Sequence, residues 1–307
     1  KKKGQHIEMT GMQTSLMDNL IKDILHNVHL DYTLPIGLNL GADFTYYEDN
    51  VRQDMASALQ GERLSFITTS QQRINRSKFF AREEHMLGKK ARVNYGMVYT
   101  HIIDHSRQDY VPTEDTTTDK LPSPLYSRRT EDILNIYGGG SMNLSDKLSA
   151  EFSLAAEHSK TTLWDEWDFY PTLSTTYMPS SGHMWQLSFS TEKKYPEFWA
   201  VQNVTSYFGG QYEHIVGNPA LKPSKEFSLS LVHVLHNKYM FRGWFSHTKD
   251  YFTQTMFQAR DQLAEIDKFD NFDFYQNAGI MISSPWKPAW WLDSRATVSV
   301  SNTKLTL

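Results

Sequence analysis

His101 and His105 stand four residues apart, a spacing that brings two imidazoles onto one metal ion only on a helix. On an extended segment the same pair lies roughly 13 Å apart on one face, so a rim or loop position is the reading adopted for them. Glu83-Glu84-His85 lacks the helical zinc spacing and reads as the end of a strand beside a turn. Asp165, Glu166 and Asp168, set between Trp164 and Trp167, are carboxylates that could share a proton or a cation; they read more simply as a solvated connection. Gly138-Gly139-Gly140 is not followed by the Gly-Lys-Ser/Thr of a phosphate loop, and Gly88-Lys89-Lys90 reads as a charged turn. Asn75-Arg76-Ser77, Asn143-Leu144-Ser145 and Asn203-Val204-Thr205 fit the glycosylation triplet, a pattern short enough to arise by chance. No catalytic, metal or cofactor-binding residue is assigned, and the chain is not expected to be an enzyme. What remains is binding material. The polar strand positions Asp31, Asp43, Arg92, Glu151 and Glu157 and the aromatic residues Phe198, Trp199, Tyr207, Phe208 and Tyr212 either meet a ligand or only line a wet wall. No substrate-binding residue is named from among them.

The elements that would carry these residues are strands. Alternation of apolar and polar side chains marks a two-faced strand. It is clear in Leu148, Ala150, Phe152, Leu154 and Ala156 against Ser149, Glu151, Ser153 and Glu157, and in Trp185, Leu187 and Phe189 against Gln186, Ser188 and Ser190. Leu38 to Thr45, Val93 to Thr100, Phe227 to Leu235 and Ala296 to Val300 repeat it. About 12 strands are expected, over residues 22–34, 36–49, 75–86, 89–102, 131–143, 147–160, 167–178, 183–193, 225–235, 239–251, 271–284 and 290–303, several of them about 10 to 13 residues long as a tilted bilayer-spanning strand requires. Short polar turns are expected at Pro35–Gly37, Leu87–Lys90, Ser145–Lys147, Pro179–Gly182, His236–Lys238 and Ser284–Pro288, alternating with loops of up to about 30 residues. Tight turns at one rim and long loops at the other are the signature of a transmembrane β-barrel.

Composition agrees. Aromatic residues make up 13% of the chain, yet the hydrophobic fraction is only 39% and the mean hydropathy is −0.54, a mixture suited to a wall with one apolar and one wet face. A net charge of −4 argues against nucleic acid as a partner. The absence of cysteine excludes disulfides, thiolate metal sites and cysteine nucleophiles. No apolar run approaches the roughly 18 residues of a spanning helix. Residues 1–24 alternate poorly and read as a loop or partial segment, Asn19 to Leu25 having some helical character, and residues 25–307 as the barrel domain. The strand pattern is unfinished at Leu307, so membership in a larger barrel is expected.

Several motifs then resemble one family in order along the chain. Gly217-Asn218-Pro219-Ala220-Leu221-Lys222-Pro223, leading into a strand at Glu226, is similar to the "GNPxLKP" segment of TonB-dependent outer-membrane receptors of the Bacteroidetes-type β-barrel family. Asp168 to Ser174 with Tyr177 resembles its "FPSL…Y" strand, Ser188 to Pro196 its "LSYSRRINRP" strand with Lys193-Lys194 as the basic pair, and Phe245 to Gln254 its "FYSRTKDxIT" strand. Asn271 to Trp291 is similar to a strand pair around a "SP" turn, and Leu30-Asp31-Tyr32-Thr33-Leu34-Pro35 to an "LDYxxP" hairpin. The resemblance implies an all-β, antiparallel transmembrane barrel of about 22 strands in full, located in the bacterial outer membrane. It further implies import of a siderophore, cofactor or oligosaccharide, driven by TonB through a plug domain for which this sequence has no matching segment. Ligand, TonB and outer-membrane lipid are the partners so implied. Two other readings remain open from the residues alone: a soluble or surface-anchored β-sandwich that binds glycans, and a passive porin.

Overall fold

A computed structural model of the chain describes residues 2–9, 13–59, 62–113, 116–118, 121–201, 205–207, 213–260 and 264–307. They form fifteen strands: β1 (Lys2–Met9), β2 (Gln13–Thr33), β3 (Asn39–Leu59), β4 (Glu62–Leu87), β5 (Ala91–Pro112), β6 (Leu125–Ser145), β7 (Leu148–Lys160), β8 (Asp165–Ser180), β9 (His183–Lys194), β10 (Thr205–Tyr207), β11 (Glu213–Val216), β12 (Ser224–Leu235), β13 (Tyr239–Gln258), β14 (Glu265–Ala289) and β15 (Leu292–Thr306). All lie in one sheet. β1 to β9 pair in sequence, β9 pairs with β12, and β12 to β15 continue the wall. Every pairing is antiparallel except that of β11 with β14. Among the described residues the sheet does not close on itself.

The alternation sorts side chains as expected. One cross-strand row runs Phe152, Leu173, Phe189, Leu229, Phe245, Ala278, and next to it run Leu187, Leu231, Gly243, Ile280, Val300. These side chains are open to the surroundings, Phe152 at 51% and Ile280 at 61%. One step away, on the other face, the row reads Ser190, Ser228, Ser246, Asn277, Thr303. A contiguous apolar surface of this extent is not tolerated on a water-soluble monomer, but it is what hydrocarbon requires. No second sheet covers it among the described residues, so a β-sandwich is not what this chain builds.

The tight turns fall on one rim. Positive φ at Gly37 (97°) and Gly182 (81°), and at His236 and Asn237 (54° each), supplies the left-handed backbone that tight two- and three-residue hairpin turns need. One turn is displaced from its expected place. Ser284 to Pro288 lies within β14, and the chain reverses at Trp290–Trp291. Pairing with β13 ends at Ser283, so Pro285 and Pro288 break no ladder on that side, and a register shift between Trp286 and Ala289 absorbs the irregularity.

Two further expectations are corrected. The described part of residues 1–24 is strand, not loop: Lys2–Met9 forms β1, and β2 runs without interruption across the boundary drawn at residue 24. Much of the expected loop sequence is also strand. β3 and β4 stay paired out to Leu59 and Glu62, and β13 and β14 out to Gln258 and Glu265, which raises strand length to as many as 26 residues in β4; β1, β10 and β11 are the strands beyond the expected 12. Beyond the apolar band the outward positions of the β3 and β4 extensions carry Arg52, Asp54, Thr69, Gln71 and Arg73, while the apolar Met55, Leu64 and Phe66 face inward, so the outward apolar stripe ends while backbone pairing continues.

Candidate functional site

The excursion between β9 and β12 folds back over the inward face of the sheet at the long-strand end. Inward positions of β5 there, Asp104, Ser106, Gln108 and Tyr110, are buried, whereas Arg107 is exposed and His105 and Asp109 are half-buried. Tyr207 of β10 enters a cluster with Met17, Met55, Leu64, Phe66 and Tyr110, its ring centroid 4.9 Å from that of Phe66. The Tyr110 hydroxyl donates to the Thr205 carbonyl. β11 pairs with the outer end of β14. The excursion thus ties β2–β5 to β14 across the mouth.

Its second half is the Gly217–Pro223 motif, and two asparagines clamp it. Asn218 Nδ2 donates to the Phe269 carbonyl (2.9 Å) and to Asp270 (3.0 Å), while its Oδ1 accepts from the Ala220 amide. Asn271 Oδ1 accepts from the Lys222 amide at 2.7 Å, and its Nδ2 donates to the carbonyls of Lys222 and Asp250. Leu221 is buried against Ala200 and Val201, with Phe252 and Phe269 around them. The motif is therefore a fixed lip, not a loose connection.

Below this lip lies a cluster of charges. Asp168 accepts from Lys193 at 2.6 Å and from Lys225 at 3.0 Å, and Lys193 also reaches Glu166 (2.8 Å) and the Ser159 hydroxyl (3.1 Å). The Lys193 side chain is only 5% exposed and that of Asp168 17%. Glu157 accepts from the hydroxyls of Tyr195 (2.6 Å) and Tyr170 (3.3 Å). Burial, reinforced by the bond to Glu157, pushes the Tyr195 hydroxyl pKa well above its ordinary value, so it stays a neutral donor. A cleft of about 440 Å³ opens beside the cluster, lined by Trp164, Asp168, Lys193, Lys222, Lys225 and Lys249 among others. The Trp164 indole N–H is buried without a protein acceptor, while its ring stacks with Tyr195 and lies under Arg129. The site offers aromatic surface, ammonium groups and hydroxyl donors. These are groups that can bind a polar ligand.

The expected residues have separate fates. Asp168 is in β8 and clasped by two lysines, so the reading of Asp165, Glu166 and Asp168 as a solvated connection fails for Asp168; Asp165 and Glu166 are exposed, the former paired with His158 at 2.8 Å and the latter with Lys193 at 2.8 Å. His101 and His105 lie within β5, not in a loop, and His101 pairs with Asp132 at 2.8 Å. Glu83 to His85 ends β4 beside its turn as expected, with His85 3.0 Å from Glu83. Among the polar strand residues, Asp31 accepts from Asn39, Asp43 from His29 (2.5 Å), and Arg92 approaches Glu84 (3.5 Å), forming a wall lattice. Glu151 lines a separate hollow with Arg92 near the turn rim. Glu157 alone of this set reaches the outer cluster. Tyr207 is buried and Trp199 packs on Phe269; Phe208 and Tyr212, and Asn203 and Val204, lie outside the described residues, as does the Phe198 side chain. Among the described residues no group of three or more His, Cys, Asp or Glu could hold a metal ion. Asp168 and the basic pair Lys193-Lys194 each stand out in the sequence, but the Lys193–Asp168–Lys225 cluster does not, because its members are 25 and 57 residues apart.

Residues 36–307 match the outer membrane protein β-barrel family. No curated protein matches the chain. Among solved structures it is similar to the siderophore receptor PirA from Pseudomonas aeruginosa, at 9% identity and a TM-score of 0.54, over 98% of this chain and 62% of that one. It is likewise similar to the RagAB peptide importer, at 12% identity and 0.54, over 96% of this chain and 37% of that one. A mutant of the ferric enterobactin receptor PfeA from Pseudomonas aeruginosa follows at 12% identity and 0.53, over 96% and 54%. Identities this low speak for the fold alone. The chain spans between 37 and 62% of the length of these three proteins. It belongs to the outer membrane protein β-barrel family, and its place is the bacterial outer membrane.

Proposed function

We propose that this member of the outer membrane protein β-barrel family is the barrel portion of a TonB-dependent receptor that imports a small polar ligand, of the siderophore, cofactor or oligosaccharide kind, with outer-membrane lipid around it. The observation that carries the reading is the outer mouth: an in-folded, clamped excursion and, beneath it, a cleft of about 440 Å³ lined by Trp164, Asp168 and four lysines. Aromatic faces and charged or hydroxyl donors at the entrance suit capture of a scarce solute better than passive flow. The folds of a siderophore receptor and a peptide importer point the same way. Energy from TonB would act through a plug inside the wall, and no reaction or cofactor is involved.

Uptake by cells carrying the full natural gene tests this directly. Radiolabelled ligand candidates should accumulate against a gradient, and removal of TonB should abolish accumulation. Accumulation that is non-saturable and unchanged without TonB would instead mark a passive porin.

A further inference from the structure

On the outward face, just beyond the apolar band, two neighbouring cross-strand rows carry basic side chains. One reads Lys22, Asn50, Gln71, Arg107, Tyr126 and the next Glu48, Arg73, His105, Arg128. Arg52 stands one step further out, opposite Leu20 and Thr69. In the same strands the alternate positions Met17, Met55, Phe66 and Tyr110 are buried inward, which fixes the basic set as outward-facing. A cleft of about 400 Å³ opens among Leu20, Lys22, Arg52, Gln71, Arg107 and Asp109.

The height of this cleft is informative. Its cations Lys22, Arg52 and Arg107 sit about 11, 13 and 16 residues along β2, β3 and β5 from the tight-turn rim; at about 3.3 Å per residue and a tilt of about 40° that is roughly 28 to 40 Å. Measured from the inner edge of the hydrocarbon, a bilayer's hydrocarbon ends at about 30 Å and its outer headgroups at about 35 to 38 Å, so the three cations straddle the outer headgroup layer. Arg52 and Arg107 are each held by an acid two residues along, Asp54 at 3.0 Å and Asp109 at 2.6 Å. One carboxylate uses at most two of the five N–H donors of a guanidinium. The side chains of Arg52 and Arg107 remain 49% and 64% exposed, with Leu20 supplying an apolar wall beside them. Counting Lys22, Arg52, Arg73, Arg107 and Arg128 against Asp18, Glu48, Asp54 and Asp109, the patch has a surplus of one positive charge, with Lys22 at its inner edge.

We propose that this cleft binds the phosphate of an anionic lipid in the outer leaflet, with Lys22, Arg52 and Arg107 as its ligands and Leu20 against the first part of the lipid's apolar body. The site depends on the membrane position of the barrel and is independent of what the barrel transports.

Native mass spectrometry of the full chain in a zwitterionic detergent tests it, with phosphatidylglycerol, phosphatidylcholine and inorganic phosphate as probes. Phosphatidylglycerol should be retained at least tenfold more strongly than phosphatidylcholine. The triple variant Lys22→Gln, Arg52→Gln, Arg107→Gln should lose that preference, and Lys238→Gln at the opposite rim should keep it. Equal retention of both lipids, or an unchanged preference in the triple variant, overturns the proposal. Inorganic phosphate binding as tightly as phosphatidylglycerol would show a free-phosphate site and overturn the lipid assignment. Should the triple variant lose the heat-modifiable mobility of a folded barrel, Arg107→Gln alone decides, with a loss of at least threefold expected and no loss contradicting the assignment.

Discussion

Replacing Asp168 with Asn is predicted to loosen the outer mouth more than any surface charge change would. Asp168 answers two ammonium groups at 2.6 and 3.0 Å, and one of them, on Lys193, is 5% exposed. Removing one partner of a buried pair costs about 3 to 5 kcal/mol, because the other charge is left without compensation. Two features reduce that here. Lys193 keeps Glu166 at 2.8 Å and the Ser159 hydroxyl, and Lys225, 26% exposed, can turn toward water. The expected loss is therefore about 2 to 3 kcal/mol. Lys193→Met alone should cost a similar amount, since it leaves Asp168 with Lys225 only, and the double variant should cost much less than the sum, with a coupling of at least about 1 kcal/mol. Equilibrium unfolding in urea of the detergent-folded protein gives all three values, and a matched change at the exposed pair Lys287–Asp293, with side chains 69% and 77% exposed, should stay within about 0.5 kcal/mol. Coupling near zero between Asp168 and Lys193 would refute the reasoning.

Other predictions concern the same mouth and the wall below it. Leu221→Ala, at a side chain 1% exposed between Ala200 and Phe269, should cost about 2 to 5 kcal/mol, seen as faster amide exchange over residues 217–223. Burial, aided by Glu265 and Asp267, holds the Glu213 carboxyl above its usual value of 4.5. A pKa raised on folding favours the protonated folded state. The resulting stability of the β11–β14 pairing is fully present below about pH 4.5 and falls as pH rises through the folded value. Amide protection over residues 213–216, corrected for intrinsic rates, should track that window, and Glu213→Gln should flatten it. Gly279→Val should expel the Trp244 ring, whose atoms stand 2.3 Å from where a Cβ would sit, read as a change in Trp emission and a lower melting temperature.

What was legible in the sequence follows from which physics a local pattern records. The stripe Trp185, Leu187, Phe189 needs no partner to be recognised, because hydrocarbon on one side and water on the other impose period two directly. The turn at Gly182 was legible for a similar reason: its backbone requires a left-handed residue. The outer extension of β3 and β4, residues 50–59 and 62–74, was not, since there the apolar side chains Met55, Leu64 and Phe66 switch to the inward face to meet the in-folded segment while polar ones face outward. Nor was the reversal at Trp290–Trp291, because Pro285 and Pro288 signal a turn locally while the ladder that would reject them has already ended at Ser283. The candidate site was the least visible. Glu157, Asp168, Lys193 and Lys225 are ordinary polar residues one at a time, and only the pairing of β7 with β8 and of β9 with β12 makes them a cluster.

The central claim is that one face of this wall meets lipid and the other meets water, and the absence of cysteine among these 307 residues allows a clean test. Single cysteines at Leu231, in the apolar row, and at Ser230, beside it on the polar face, would each carry an environment-sensitive fluorophore in protein reconstituted into vesicles. The account predicts strong quenching by nitroxide-labelled lipid at position 231 and quenching by aqueous iodide, but not by the lipid quencher, at position 230. Equal aqueous quenching at both positions, or lipid quenching at 230 alone, would contradict it.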